Sequence, residues 1–591
     1  MAHHRPGTTA WIVCAVAAAL AGVARGEVER VGTESGSGIT IEIEGWAGIN
    51  TPATGRRTGL IPLDVSITND SPATRTWTFA PDSSFGSRRA PVPSASLTVP
   101  EGGTGRTTLF VEVDEQGDLY LTVKGHGVSG GEEMLRVGSP NERWARLSDQ
   151  QASLASSVGQ SREVLASREG RPTDLDVTPL DMTRAPGDWR GWSAFHTIVI
   201  TAAEWRALPA AARKAALDWT LLGGRLVVLT KPDEEPPAGL LPGRRQDREA
   251  VRGGKAIVAP WTDERIPPGQ ITRYGGEFAA VDMYINDSTA DDVRYGFPRD
   301  GWFTTLTKRF GPRTLPVTPI LLFLAVFGLV AGPLNVWVLA GRGRRSRMFW
   351  TTPAISLAAT ALLLALIFLR DGVGGEGVRR VLAILDPDRA TMGVIQEQFS
   401  RTGVLLGSSF PIREPSWMHP IGKKRNDVPL VENDGAVRSG GWFRSRSDQA
   451  FVLQAARPSR ARIEFQPPAA ASAAPSIVSS VEVPLRRAFV IDDDGRYWRA
   501  DDIGTGERKA LQPAERADFE RWFGEFTADA GPVRRRALDN VKAGRGRAFA
   551  EADRPARLAI ETLGSIRWVD DRALVVCPVT TETQAATEPA P

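Results

Sequence analysis

Two apolar runs constrain this chain more than anything else in it. Pro316 to Ala340 reads PVTPILLFLAVFGLVAGPLNVWVLA, and Phe349 to Leu369 reads FWTTPAISLAATALLLALIFL. Each reaches the roughly 20 residues that cross about 30 Å of hydrocarbon. The link between them, GRGRRSRM, carries Arg342, Arg344, Arg345 and Arg347. The pattern predicts a transmembrane hairpin over residues 316–369, with spans 316–340 and 349–369. By the positive-inside rule the four arginines set the topology and keep the short loop in the cytoplasm. Lys308, Arg309 and Arg313 before the first span, and Arg370 after the second, weaken that bias.

The N-terminus breaks the tie. Residues 1–26 have the layout of an export signal: His3, His4 and Arg5, then the apolar run Ala10 to Ala24, then Ala24-Arg25-Gly26 with small residues at the −3 and −1 positions of a cleavage site. At 1.5 Å per residue the run spans roughly 22 Å, short for a crossing. An uncleaved N-terminal anchor is the alternative. Either way the residues that follow are expected outside the cytoplasm, so both large halves of the chain fall on one side.

Residues 38–128 alternate apolar and polar in short runs, as in Ile39 to Glu44 and Leu63 to Ile67, with turns at Asn69-Asp70-Ser71 and Glu101-Gly102-Gly103. This predicts an N-terminal β-sandwich. Residues 138–300 change character. His196 to Thr201 is a continuous apolar strand of the kind parallel sheets bury. A helix is expected from Pro209 to Leu222, closed by Gly223. Gly223-Gly224 then leads into the strand Leu226 to Leu229, and Gly253-Gly254 into another ending at Val258. Strand, helix, glycine turn and strand indicate an α/β domain with a mostly parallel sheet. Gly223-Gly224 ends a helix and opens a strand, the reverse of a phosphate-binding loop.

Residues 378–579 read as a β-rich C-terminal domain. Asp492-Asp493-Asp494-Gly495 lacks the ligand spacing of a calcium loop and is expected to be a hairpin turn. A second hairpin is expected across Asp570-Asp571, joining Ser565–Val569 to Ala573–Val576. Pro513 to Phe526 predicts a helix with Phe519, Trp522, Phe523 and Phe526 on one face. The run Arg534-Arg535-Arg536 reads as a solvated face, with lipid headgroups as a lesser option. Asp371 to Gly377, rich in glycine, reads as a flexible exit from the membrane, and residues 580–591 as a disordered tail.

Trp189 to Phe195 before a strand, then Leu217-Asp218-Trp219 and Gly223-Gly224-Arg225-Leu226, resemble the class I glutamine amidotransferase-like fold. More narrowly, the chain resembles uncharacterised bacterial membrane proteins that carry such a domain outside the membrane, after a β-sandwich and before a span holding Gly-Pro-Leu-Asn. Here that motif is Gly332-Pro333-Leu334-Asn335. The resemblance covers roughly residues 40–400. It implies a multidomain α+β membrane protein with a flavodoxin-like α/β unit. Active amidotransferases also need a nucleophilic cysteine with a histidine and a carboxylate. Residues 27–576 contain no cysteine, and His196 is the α/β segment's single histidine. The fold is therefore expected without the reaction.

Within the first span Gly332 and Pro333 should kink or break the helix, and Asn335 is free to bond the released carbonyls or the second helix. The net charge of +3 gives no electrostatic case for nucleic acid. Cys14 and Cys577 form no disulfide framework, and His126, His196 and His419 are not at metal-ligand spacing. No cofactor and no catalytic or metal site is expected. The expectation is a non-catalytic protein of the bacterial inner membrane with extracytoplasmic domains, whose partners are the bilayer and other envelope proteins. One rival is a subunit of a membrane complex or transporter. Another is an extracytoplasmic hydrolase using carboxylates such as Asp188 or Glu204.

Overall fold

The structure is a computed structural model. It describes residues 28–46, 60–82, 94–112, 118–138, 144–147, 177–179, 184–193, 197–231, 234–240, 249–251, 253–260, 309–311, 317–339, 341, 343, 345–421, 430–433, 437–468, 474–542, 544–555 and 557–581. The export-signal reading, His196, Arg342, Arg344 and residues 582–591 lie outside the described residues.

The chain is mixed α+β and rich in strands. Two four-stranded antiparallel sheets come first. One runs Val28–Arg30, Ile39–Gly45, Leu60–Asn69, Gly103–Glu112; the other runs Ala95–Val99, Arg75–Asp82, Asp118–Lys124, Glu132–Gly138. Alternation drives them together: Ile39, Ile41 and Ile43 are buried while Thr40 is exposed. Asn69 fixes a corner, its Nδ2 donating to the carbonyls of Ala73 and Val99.

A six-stranded sheet follows, in the order Val177–Pro179, Trp144–Leu147, Thr197–Thr201, Arg225–Thr230, Lys255–Pro260, Glu249–Val251. Its pairings are parallel except the last. Helix α1 (Ala202–Ala207) opens with a capping box, Thr201 bonding the N–H of Glu204 and Glu204 bonding back to Thr201. Helix α2 (Ala210–Leu221) starts after Pro209 and ends before Gly223, whose φ of 116° an L side chain would resist. Trp46, Trp192 and Trp219 form a line of rings, with centroids 5.1 and 6.4 Å apart, that runs from the end of strand Ile39–Gly45 to α2.

The C-terminal part is built on a nine-stranded sheet. Its order is Ser416–Ile421, Asp448–Pro458, Thr391–Thr402, Gly375–Asp386, Ile566–Pro578, Arg547–Asp553, Leu485–Ile491, Tyr497–Ile503, Gln512–Ala514. The pairing of Gly375–Asp386 with Ile566–Pro578 is parallel, and the others are antiparallel. Both faces are covered. Leu382, Ile384 and Ile395 share a core with the α/β unit and with helices α5 (Arg516–Ala528) and α6 (Pro532–Lys542), whereas Val381, Ala383 and Val394 face a second core. Hence Val378 to Asp386 is buried without alternation.

Between these parts lie the apolar helices. Helix α3 (Val317–Leu329) passes into a π-helical stretch, Val330–Leu339, and helix α4 spans Met348–Asp371. Val317–Leu339 and Arg345–Asp371 have mean hydropathies of 2.3 and 2.2, and neither apolar window is buried in the protein. At 1.5 Å per residue each matches the roughly 30 Å hydrocarbon core.

Three readings of the sequence are corrected. Ile566–Pro578 is one continuous strand, so Asp570-Asp571 is not a hairpin turn. The register shifts between Gly377 and Val378, which pair with Trp568 and Asp570, and Val569 is the extra residue of a bulge. The glycine-rich exit after α4 is clamped rather than flexible. The Val404 N–H donates to the Gly372 carbonyl at 2.9 Å, the Gly374 N–H to the Val404 carbonyl at 2.9 Å, and the Gly403 N–H to the Gly374 carbonyl at 2.7 Å. A Cβ on Gly403 would sit 2.1 Å from the Asp371 carbonyl, so glycine there permits close backbone approach. Finally, Thr580–Thr581 pairs with Glu464–Phe465, so strand pairing continues into the first residues of the expected tail.

Candidate functional site

The hairpin holds the residues singled out from sequence. Pro333 has no N–H for the carbonyl of Leu329, and its ring would crowd that carbonyl in an α-helix. The α pattern stops at Leu329 and a π register begins. In that register the Leu329 carbonyl meets the N–H of Leu334, so the ladder changes pitch instead of breaking. An added Cβ at Gly332 would meet nothing within 4 Å. Asn335 is fully buried, and its Nδ2 donates to Thr352 Oγ1 of α4 at 2.9 Å. Of the loop arginines, Arg345 and Arg347 lie exposed in a short 3-10 turn between the helices.

The chain on either side of the hairpin is joined. Arg401 donates to the carbonyls of Phe310 (2.6 Å) and Gly311 (2.8 Å), and pairs through two bonds with Asp448. Phe310 packs on Phe399 at 5.2 Å between centroids. Farther out, Asn540 donates to the Gly253 carbonyl, Gln454 to that of Leu222, and Trp189 to that of Pro415. The α/β unit before the hairpin therefore sits directly on the sheet after it.

A ladder of buried charge ties α5 and α6 to that sheet. Arg534 opens the basic run, yet it is 2% exposed. Its Nε donates to Glu397 Oε2 at 2.8 Å, and its Nη2 to Asp529 Oδ1 at 3.0 Å. The solvated-face reading fails for Arg534 because α6 turns that position toward the sheet, where Glu397 is fully buried. Arg380 continues the ladder, bonding Asp529 through Nε and Asp570 through Nη1 and Nη2. Burial works against both arginine cations, but Asp529 and Asp570 at Arg380, and Glu397 and Asp529 at Arg534, outweigh it and push their pKa up. Burial also raises Asp570, but the bonds and charge of Arg380, with Arg572 and Arg309 nearby, bring it below the usual carboxylate range. Arg379 completes the group, holding Asp571 with two bonds and lying 4.9 Å over the ring of Trp568.

One side of this ladder opens into a cleft of about 750 Å³ lined by Arg309, Arg486, Asp553, Arg554, Arg567, Trp568, Val569, Asp570, Asp571 and Arg572. The five arginines come from separated segments. Arg486, Arg554, Arg567 and Arg572 belong to no sequence motif, because they are scattered along the chain and converge only when Leu485–Ile491, Arg547–Asp553 and Ile566–Pro578 enter one sheet.

The residues named for other chemistry behave as structural groups. Asp188 caps the turn Trp189–Trp192 and pairs with Arg190. Glu204 closes the capping box of α1. Asp492-Asp493-Asp494-Gly495 joins strands whose ends, Ile491 and Tyr497, pair directly. Burial pushes the Cys577 thiol up to about 12, so it is not a nucleophile at neutral pH. Among the described residues no group of three or more His, Cys, Asp or Glu is placed to hold a metal ion. No protein-family model matches the sequence, and no curated protein matches it significantly.

Proposed function

We propose that this protein is a non-catalytic envelope scaffold: a membrane hairpin holding a folded body that binds other envelope components on the extracytoplasmic side. The observation that carries the reading is the joining of Phe310 and Gly311, ahead of the first apolar helix, to Arg401, beyond the second. Two crossings return the chain to the side it left, and these bonds fit that return. The export-signal pattern of residues 1–26 and the arginines between the helices support placing the body outside. The α/β unit enters this proposal as an amidotransferase-like fold that has lost its reaction. Its parallel strands and glycine turns support the first part, and the lack of a cysteine between residues 27 and 576 supports the second.

Crosslinking in intact cells, followed by identification of the captured proteins, tests the binding role. The expected result is a reproducible set of envelope partners attached to the folded body. Hydrolysis of glutamine or of esters by the purified chain would overturn the non-catalytic reading.

A further inference from the structure

We infer that the cleft at the foot of the nine-stranded sheet is a binding site for a phosphate-bearing anion. Three features point there. First, the charge of the walls does not cancel locally. Asp570 and Asp571 line the cleft but are held from behind by Arg380 and Arg379. Arg572 is taken up by Glu551. Arg309 and Arg554 have no hydrogen bond or ion pair to a side chain among the described residues. Arg486 makes only two long ion pairs, 3.8 Å to Asp553 and 3.9 Å to Glu551, both beyond hydrogen-bond distance. Arg567, paired with Glu376, is 76% exposed along its side chain. Guanidinium groups brought together from distant segments repel one another, and an oxyanion between them relieves this.

Second, the side chains suit phosphate. Guanidinium is planar, stays charged and presents paired N–H donors that match phosphate oxygens. Trp568 supplies a flat apolar wall beside them, already covered on one side by Arg379. Arg554 is held at φ 51°, a left-handed conformation uncommon for a residue with a side chain. Local strain of this kind collects at ligand sites.

Third, the cleft lies beside the chain's entry to and exit from the apolar helices. Arg309 precedes Val317 by eight residues, and Gly377, six residues beyond Asp371, pairs with Trp568. At about 3.3 Å per residue, the cleft floor is within roughly 20 Å of the end of α4. Phosphate in that zone comes either from an anionic lipid headgroup or from a soluble phosphate compound. The lipid source rests on the membrane placement proposed above; phosphate binding itself does not.

The test uses the purified full chain in a neutral detergent. One arm titrates inorganic phosphate by calorimetry. The other counts phosphatidylglycerol against phosphatidylcholine adducts by native mass spectrometry. The variant is Arg309→Gln with Arg554→Gln, whose side chains make no hydrogen bond or ion pair to another side chain among the described residues; Arg516→Gln, paired with Glu520 on α5, is the control. The expected result is binding in at least one arm, weakened on the order of tenfold or more in the double variant and unchanged in the control. Binding of phosphatidylglycerol alone identifies a headgroup site, and binding of inorganic phosphate alone identifies a soluble ligand while leaving the membrane placement untouched. No binding in either arm, or equal binding by wild type and a double variant of unchanged melting temperature, overturns the inference.

Discussion

Arg401 Nη1 donates to the backbone carbonyl of Phe310 at 2.6 Å, across 91 residues of chain that include both apolar helices. This bond, with its neighbour to Gly311, fixes the start of the hairpin to the sheet that begins where the hairpin ends. Replacing Arg401 with Met removes both carbonyl bonds and leaves the half-buried Asp448 without its guanidinium. The expected loss is about 2–3 kcal/mol. Limited proteolysis ahead of Val317 should accelerate as well, which a purely local effect at Asp448 would not produce.

The Arg534–Glu397 pair is nearly solvent-free, at 2% and 0% side-chain exposure. Arg534→Met takes the guanidinium from a buried carboxylate that keeps the Gly531 N–H, and should cost about 3–5 kcal/mol. Adding Glu397→Gln should restore part of that loss, because the stranded charge is then gone. Thermal unfolding of the two single variants and the double variant measures the coupling. Additive losses would contradict a direct pair.

Acid should act through Asp570. Its folded pKa lies below its unfolded value near 4. Its contribution is therefore fully present above about pH 4 and is lost as pH falls through the folded value. Melting temperatures of wild type and Asp570→Asn should differ at pH 7 and converge below about pH 4. A gap independent of pH would contradict the role of its charge.

Asn335 and Thr352 should behave as one unit. Asn335→Leu removes a single interhelical hydrogen bond, worth on average about 0.6 kcal/mol and at most about 2 in a membrane. Thr352→Val should cost a similar amount, and the double variant little more than either. Unfolding in a denaturing detergent reads these differences.

What was legible in the sequence was local. The apolar runs, the alternation of Ile39 to Glu44, the helix after Pro209 and the aromatic face of α5 each follow from spacing within one segment. Phe519, Trp522, Phe523 and Phe526 are all buried, as their period requires. The misread features depend on distant partners. Asp570-Asp571 resembles a turn until Arg379 and Arg380, about 190 residues earlier, neutralise both acids in mid-strand. Arg534 resembles a solvated cation until Glu397 arrives from a strand 137 residues away. Gly403 and Gly374 suggest flexibility until the chain folds back on itself with only hydrogen atoms between the backbones. The arginine cleft has the same origin, since no segment of the sequence carries more than two of its five cations.

The central claim is that one folded body, drawn from both sides of the hairpin in sequence, lies outside the cytoplasm. Single cysteines at Glu101, Leu406 and Arg345, probed in intact cells with a membrane-impermeant maleimide, test it most directly. Leu406 is 83% exposed, and buried Cys577 gives little background. The account requires labelling at positions 101 and 406 in intact cells, and at 345 only after permeabilisation. Labelling at 345 from outside, or at only one of 101 and 406, would contradict it.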